Sequence, residues 1–353
     1  MPHPDSNKDH FLRVKNEVAT LSLLRDALGT ATGAIVPRIY GSNSSGSGHA
    51  WILLEWLPGI NLGKIFSSCS LEQQRLVLSQ LANMIHALQN YQLPDTVDSF
   101  GGLRHNRYGE IVSGESSCIL GGPFTSMAAM YKHEATERLK LSDSSEIIAG
   151  WRHNALRGRL DSFVADGIEK AFEKLSMGQK GIVHGAITLD NILIDPDTFK
   201  LSGLLGGDMS YIATPIHEFF HSFYDLYNFL PGPYTTNTQN LIMHKALLHG
   251  FPEPLPETVL GGASDEKSSK FGAGVGIDWR LSQMFAEELE KAGALGPAQI
   301  ADAEEIAALY WFVQAICPPY LFNHPALKAR ELQAMYRQTG EVLLDKYLVK
   351  WGY

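Results

Sequence analysis

The sequence predicts an α+β chain of two unequal lobes. Residues 1–59 form an abbreviated N-terminal lobe, a small sheet with one helix, and residues 60–353 form a larger, mostly helical lobe. Three observations predict this. A helical apolar stripe is followed by two short β-rich runs; Pro58-Gly59 then interrupts the chain before a long tract of helical periodicity. The composition, 44% hydrophobic and 19% charged over 353 residues, is ample for a large core and excludes a disordered chain.

Taken in order, Phe11-Leu12-Arg13-Val14 is a candidate short strand. Val18, Leu21, Leu24 and Leu28 recur at helical spacing, and Gly29 stands where that helix would stop. Ile35 to Tyr40 predicts an edge strand, because Pro37 has no N–H to give a ladder. Ser42 to Gly48 is a flexible turn, and Trp51 to Trp56 is the returning strand. Beyond the hinge, Ser70-x-x-Gln73 is a capping box that opens a helix with Leu71, Leu78, Leu81, Ile85 and Leu88 on one face. The Gly-rich residues 92–125 predict loop, and Asp161 to Leu175 predicts helix. Ile182-Val183, Ile192 to Ile194 and Phe199 to Leu205 predict short strands separated by Asp-rich turns. After Pro215 the pattern is helical to the end, broken by loops at 231–233, 252–256 and 261–276.

Twenty-nine Lys and Arg against 38 Asp and Glu give a net charge of −9 with no basic stripe, which argues against nucleic acid as a partner. Cys69, Cys118 and Cys317 lie far apart, without a disulfide or zinc pattern. The N-terminus is polar with no apolar signal region, and no apolar run approaches the ~18–20 residues of a membrane span. The expectation is a cytoplasmic protein.

The chemistry-bearing stretch is His184-Gly185-Ala186-Ile187-Thr188-Leu189-Asp190-Asn191, with Leu201-Ser202-Gly203-Leu204-Leu205-Gly206-Gly207-Asp208 after it. Segment 182–208 resembles the catalytic loop and metal segment of the aminoglycoside phosphotransferase and choline kinase-like family. There the pattern is His-Gly-Asp, four residues and Asn, followed by a strand ending in Asp. Asn16-Glu17-Val18-Ala19 resembles the helix carrying that family's ion-pairing glutamate, and Val36 to Tyr40 and Trp51 to Gly59 resemble its strands leading to the hinge. The resemblance covers most of the chain and implies a protein kinase-like two-lobe fold.

Phosphoryl transfer is mostly positioning and charge neutralisation, and it needs carboxylates for the proton and the dication. Ala186 stands where the resemblance puts the base, and its methyl accepts no proton. Gly206 stands at the metal aspartate and offers no ligand atom. Asn191 matches the second metal ligand, but one neutral amide does not hold a hard dication. Sixteen residues precede Glu17, whereas three further strands with their turns need about 25, so no Gly-rich loop or strand lysine is expected. The reading is a degenerate member that needs no cofactor. A residual phosphotransferase using Asp208 as metal ligand and Asp190 as base is the alternative, as is a non-catalytic pseudokinase.

His217-Glu218-Phe219-Phe220-His221 also spells HExxH, which on a helix suits zinc hydrolysis. No third ligand follows at a known spacing, so His217 and His221 are only a weak metal alternative and the expected metal is none. The helix from Pro215 is rich in aromatic residues. Tyr211, Phe220, Tyr224 and Trp279 are candidate substrate-lining residues for a small apolar or aromatic molecule. Asp208, His217, Glu218 and His184 are candidate catalytic groups. Such a site would suit a cofactor-independent cyclase or pericyclic catalyst of specialised metabolism, which works by shaping and polarising its substrate. The short sheet leaves completion by another chain, and hence a homo-oligomer, open.

Overall fold

The computed structural model describes residues 6–29, 35–46, 48–176, 178–254, 277–318 and 330–353. The chain opens with helix α1 (Ser6–Leu28) and an antiparallel pair, β1 (Ile39–Asn43) and β2 (Trp51–Leu54), with Ile39 opposite Leu54 and Asn43 opposite Trp51. Phe11 to Val14, a candidate strand by sequence, is part of α1. No turn residue separates it from the Val18–Leu28 stripe, so the helix propagates through both. Leu21, Leu24 and Leu28 are buried, and the Gly29 N–H closes the helix on the Arg25 carbonyl at 2.9 Å. The strand predicted from Ile35 starts later, at Ile39. Ile35 instead accepts a hydrogen bond from Leu204 N–H at 2.8 Å, tethering the chain to a distant strand.

After Pro58-Gly59, β3 (Ile60–Asn61) leads to α2 (Leu71–Asn90), whose capping box is present in full: Ser70 accepts from Gln73 N–H and Gln73 accepts from Ser70 N–H. Residues 92–125 are not simply loop. They hold a hairpin, β4 (Gly102–His105) against β5 (Ile111–Gly114). Its glycines disguise it, and Gly102 is required there because a Cβ would lie 2.2 Å from the Glu115 carbonyl oxygen. The hairpin is held from outside: Asn16 of α1 donates to the Leu103 and Glu115 carbonyls at 2.8 and 2.9 Å and accepts from Ser117 N–H at 2.8 Å.

Then come α3 (Met127–Ser144) and α4 (Leu156–Ser162), which runs through a π turn at 163–167 into α5 (Ile168–Phe172). Short strands follow. β6 (Gly181–Val183) pairs with β9 (Tyr211–Ala213), while β7 (Ile192–Ile194) lies between β3 and β8 (Leu201–Leu204). After Pro215 the predicted long helix is only one turn, α6 (Glu218–His221). Phe223 N–H bonds the Ile187 carbonyl at 2.9 Å, and Phe223 and Tyr227 take left-handed conformations at φ 66° and 53°. Hydrogen bonds to the 184–191 loop have displaced the helical ones. Helices α7 (Thr238–His249), α8 (Trp279–Ala292), α9 (Ala303–Ile316) and α10 (Arg330–Lys350) complete the chain.

Trp151, Phe163, Phe219, Phe285 and Phe312 fill the core. The loop predicted at 261–276 lies outside the described residues. Among the described residues no helix is long and apolar enough to cross a membrane.

Asn16 is buried with both ends of its amide paired, so Asn16→Ala leaves three backbone groups of the hairpin segment unpaired. The expected outcome is a loss of about 3 kcal/mol of unfolding free energy in urea titrations. A loss under about 1 kcal/mol would show that the hairpin does not depend on α1.

Candidate active site

The loop that follows β6 is organised by one buried carboxylate. Glu218 accepts from His184 N–H at 2.7 Å and Gly185 N–H at 3.0 Å, and Ser222 donates its hydroxyl to the same carboxylate. Ser222 Oγ in turn accepts from Ile187 N–H at 2.8 Å. Burial pushes the Glu218 carboxyl up, and the three donors oppose that by favouring the carboxylate. Gly185 is at φ 72°, and a Cβ there would lie 2.5 Å from the Met209 carbonyl oxygen. His184 is fully buried; its Nδ1 accepts from Ala186 N–H at 3.3 Å, and burial brings its imidazole down to about 4. Such a ring braces the loop as a neutral group.

Asn191 closes the loop. Its Nδ2 donates to the Ala186 carbonyl at 2.9 Å, and its own carbonyl accepts from Leu205 N–H at 2.8 Å. Gly206 follows at φ 82°, and a Cβ there would lie 2.7 Å from Asn191 Nδ2. The order of these parts, a strand, a His-Gly loop closed by an asparagine, and a strand ending at a left-handed turn, is that of the resemblance drawn from the sequence.

Residues 2–239 match the model of the phosphotransferase enzyme family, APH. The chain belongs to the phosphotransferase enzyme family. Solved structures of aminoglycoside phosphotransferases are similar in fold, across nearly the whole chain. The ADP-bound aminoglycoside phosphotransferase APH(2'')-Ib is 12% identical, with 99% of this chain and 86% of that one covered at a TM-score of 0.50. The streptomycin–ATP ternary complex of APH(2'')-IIa is 12% identical, with 93% and 82% covered at 0.47. The macrolide 2'-phosphotransferase MphH of Brachybacterium faecium is 13% identical, with 97% and 81% covered at 0.40. No curated protein matches the sequence.

Within this family member, the two acids assigned to a residual reaction have separate surroundings. Asp208 sits 3.8 Å from Arg13, beside Glu17 of α1. Burial raises the Glu17 carboxyl, the Asp208 charge raises it further, and Arg13 opposes both. The helix glutamate therefore faces an acid and an arginine. Cys118 donates its thiol to the Asp208 carbonyl at 3.4 Å, and burial pushes that thiol up to about 11. Asp190 stands by the segment after β3: its backbone carbonyl accepts from the Asn61 amide, and its Oδ1 lies 2.6 Å from where a Gly63 Cβ would be.

A dication does not fit these residues. Ala186 and Gly206 carry no side-chain oxygen, and Asn191, whose Nδ2 donates to the Ala186 carbonyl, offers a single neutral amide oxygen. Among the described residues no group of three or more His, Cys, Asp or Glu is arranged to hold a metal.

The zinc alternative also meets a structural objection. Both ring nitrogens of His217 are taken, Nε2 by the Tyr131 hydroxyl at 3.1 Å and Nδ1 by the Tyr211 hydroxyl at 2.9 Å. Burial lowers that imidazole to about 3, and His221, near the Tyr310 hydroxyl at 3.4 Å, to about 4. Glu218, the base of an HExxH motif, is occupied with the loop.

The aromatic set largely packs inward. Tyr211, Phe220 and Trp279 are buried, and Phe220 stacks on Tyr310 with centroids 4.2 Å apart. Tyr224 alone of the four is open, 55% exposed. The helical spacing implied one shared face, but the chain turns at Ser222: Tyr211 and Phe220 pack on His217, while Tyr224 points to solvent.

One acid was not singled out by sequence. Asp225, between the two left-handed residues, accepts from Leu189 N–H at 2.6 Å through Oδ2, while its buried Oδ1 has no partner. Burial pushes this carboxyl up to about 6, and the Asp190 charge adds to the shift. No motif marks it; only the turn of the chain brings it under the loop.

A raised carboxyl favours the fold while protonated, so this contribution is full below the unfolded value near 3.8 and is lost as pH rises through about 6. Asp225→Asn keeps an acceptor for Leu189 N–H and removes the charge. The variant is expected to be more stable than wild type by about 2 kcal/mol at pH 8 and equal to it near pH 4, as read by denaturant titration. A difference independent of pH would refute the assignment.

Proposed function

We propose that this member of the phosphotransferase family no longer transfers phosphate and uses its scaffold to bind a small organic molecule without nucleotide or dication. The observation that carries the reading is the sealed turn at Gly206. The Asn191 amide lies where a side chain at that position would begin, and it is pinned to the carbonyl of Ala186, the residue that stands where a base would be needed. A side chain at Gly206 would require the Asn191 amide to move.

Two uses of such a scaffold differ in chemistry. Binding without turnover, as in a pseudokinase, is favoured by the burial of Tyr211, Phe220 and Trp279, which removes most of the aromatic lining a substrate-folding catalyst would need. A cofactor-independent enzyme of the cyclase type draws support from Asp225, a carboxyl poised near neutral pH beside the open ring of Tyr224. The similar structures are named for aminoglycosides and macrolides. A residual activity of that kind would rest on Asp208 and Asp190.

The test pairs binding with transfer. Magnesium–ATP at saturating concentration is expected to move the melting temperature by less than about 1 °C, where a ligand at 100 times its Kd adds about 2.7 kcal/mol. No label is expected to pass from γ-labelled ATP to aminoglycoside or macrolide acceptors. Transfer that disappears in Asp208→Asn would overturn the proposal. Turnover of an apolar polyene lost in Asp225→Asn but kept in Asp208→Asn would select the enzyme over the passive binder.

A further inference from the structure

Helix α10 carries two apolar stripes, where a surface helix ordinarily has one. The first faces the core. Leu344, Tyr347 and Leu348 are buried, and Gly340 lies so close to the Trp151 ring that a Cβ there would be 2.6 Å from it. The second stripe faces outward: Met335 and Val342, two turns apart, are 51% and 52% exposed. With Leu343 and with Tyr234, from the segment that precedes α7, they line a cavity of about 270 Å³ that opens to solvent.

Both walls of this cavity are held in place. Tyr234 packs edge-on to Tyr347 with centroids 4.8 Å apart. Gly232 beside it is pressed against Trp311, whose indole N–H donates to the Leu230 carbonyl at 2.9 Å. On the other side, α10 is tied to α9 by Lys350 and Glu305 at 2.7 Å and to α4 by Arg159 and Asp345 at 2.5 Å. A groove that exists before its ligand arrives loses little to ordering when it is filled.

The charge on the lining points to the kind of ligand. Lys346, one turn past Val342, is the single charged residue among those that line the groove. Its described neighbours on α10 are all matched: Arg337 pairs with Glu341 at 3.6 Å, Asp345 with Arg159 and Lys350 with Glu305. Among the described residues Lys346 has no acid within ion-pair distance, although the chain carries a net charge of −9. An unmatched ammonium at an apolar groove is complementary to an anion with an apolar body.

We propose that the groove between Tyr234 and α10 binds a small aliphatic carboxylic acid, its carboxylate on Lys346 and its hydrocarbon between Tyr234, Met335 and Val342. One ammonium matches a monoanion. A phosphate ester carries nearly two charges and calls for a second base, which this lining does not have. Volume sets the length of the ligand. A space of about 270 Å³ equals roughly nine water-sized units of about 30 Å³, each close to the size of a methylene, so a chain of about seven to nine carbons fills it. The groove shares no residue with the region from His184 to Asp225, and it stands whether or not the chain transfers phosphate.

Isothermal titration with sodium octanoate is the test, with 1-octanol as the uncharged molecule of the same length. Octanoate is expected to bind one-to-one with a Kd on the order of 0.1–1 mM, and 1-octanol at least tenfold more weakly. Lys346→Met keeps the stem and removes the charge, and is expected to reduce octanoate to the affinity of 1-octanol. Val342→Glu places a carboxylate in the groove and is expected to abolish octanoate binding. Both positions are exposed, so circular dichroism and melting temperature are expected to stay as in wild type. In spectra of methyl-labelled methionine, octanoate is expected to shift the Met335 resonance of the wild-type protein. A wild-type titration that leaves Met335 unmoved overturns the proposal without any variant. It is equally overturned by 1-octanol binding as tightly as octanoate, or by octanoate binding that survives Lys346→Met or Val342→Glu undiminished.

Discussion

The Glu218 carboxylate is the constraint on which the centre of the molecule depends. It holds two consecutive backbone N–H groups of the 184–191 loop and, through Ser222, a third. A buried carboxylate is unfavourable unless its lone pairs are filled. Here they are filled by backbone donors that a tight loop would otherwise leave unpaired. The same bonds stop α6 after one turn, because Ser222 and Phe223 are drawn to Ile187 and cannot continue the helix. Loop geometry and helix length are thus one decision.

From that fixed loop the surroundings follow. His184 is locked as a neutral brace, Asn191 turns inward to Ala186, and Gly206 takes the left-handed turn that brings Asp208 to α1. On the other flank, the left-handed residues Phe223 and Tyr227 carry Asp225 beneath Leu189 and leave Tyr224 facing solvent. The 184–191 loop is held throughout by hydrogen bonds, while Ala186 and Gly206 within this region bear only a methyl group and a hydrogen. That contrast gives the proposed function its direction.

Much of this was legible in the residues. The His184–Asn191 spacing, the Ser70 capping box and the short strands around 182–204 were readable because each depends on local chemistry. Less legible were the β4–β5 hairpin, whose glycines look like loop until Asn16 is seen holding it, and the start of α1, where four residues of ambiguous pattern were absorbed into a neighbouring helix. The aromatic stripe assumes a helix through Ser222, and spacing has meaning only if the period persists. The HExxH run does lie on helical residues, but both ring nitrogens of His217 are taken by tyrosine hydroxyls.

The sequence by itself determined the family, the side chains present at positions 186 and 206, and the charge of the chain, since these are identities that no folding alters. Only the tertiary structure decided what surrounds them: that both nitrogens of His217 are occupied, that Glu218 binds backbone, that Asp225 lies half-partnered under the loop, and that Trp51 and Trp56 stand in water. Burial and hydrogen-bond partners are set by segments more than a hundred residues apart, as with Asn16 and Ser117. No local pattern carries that information.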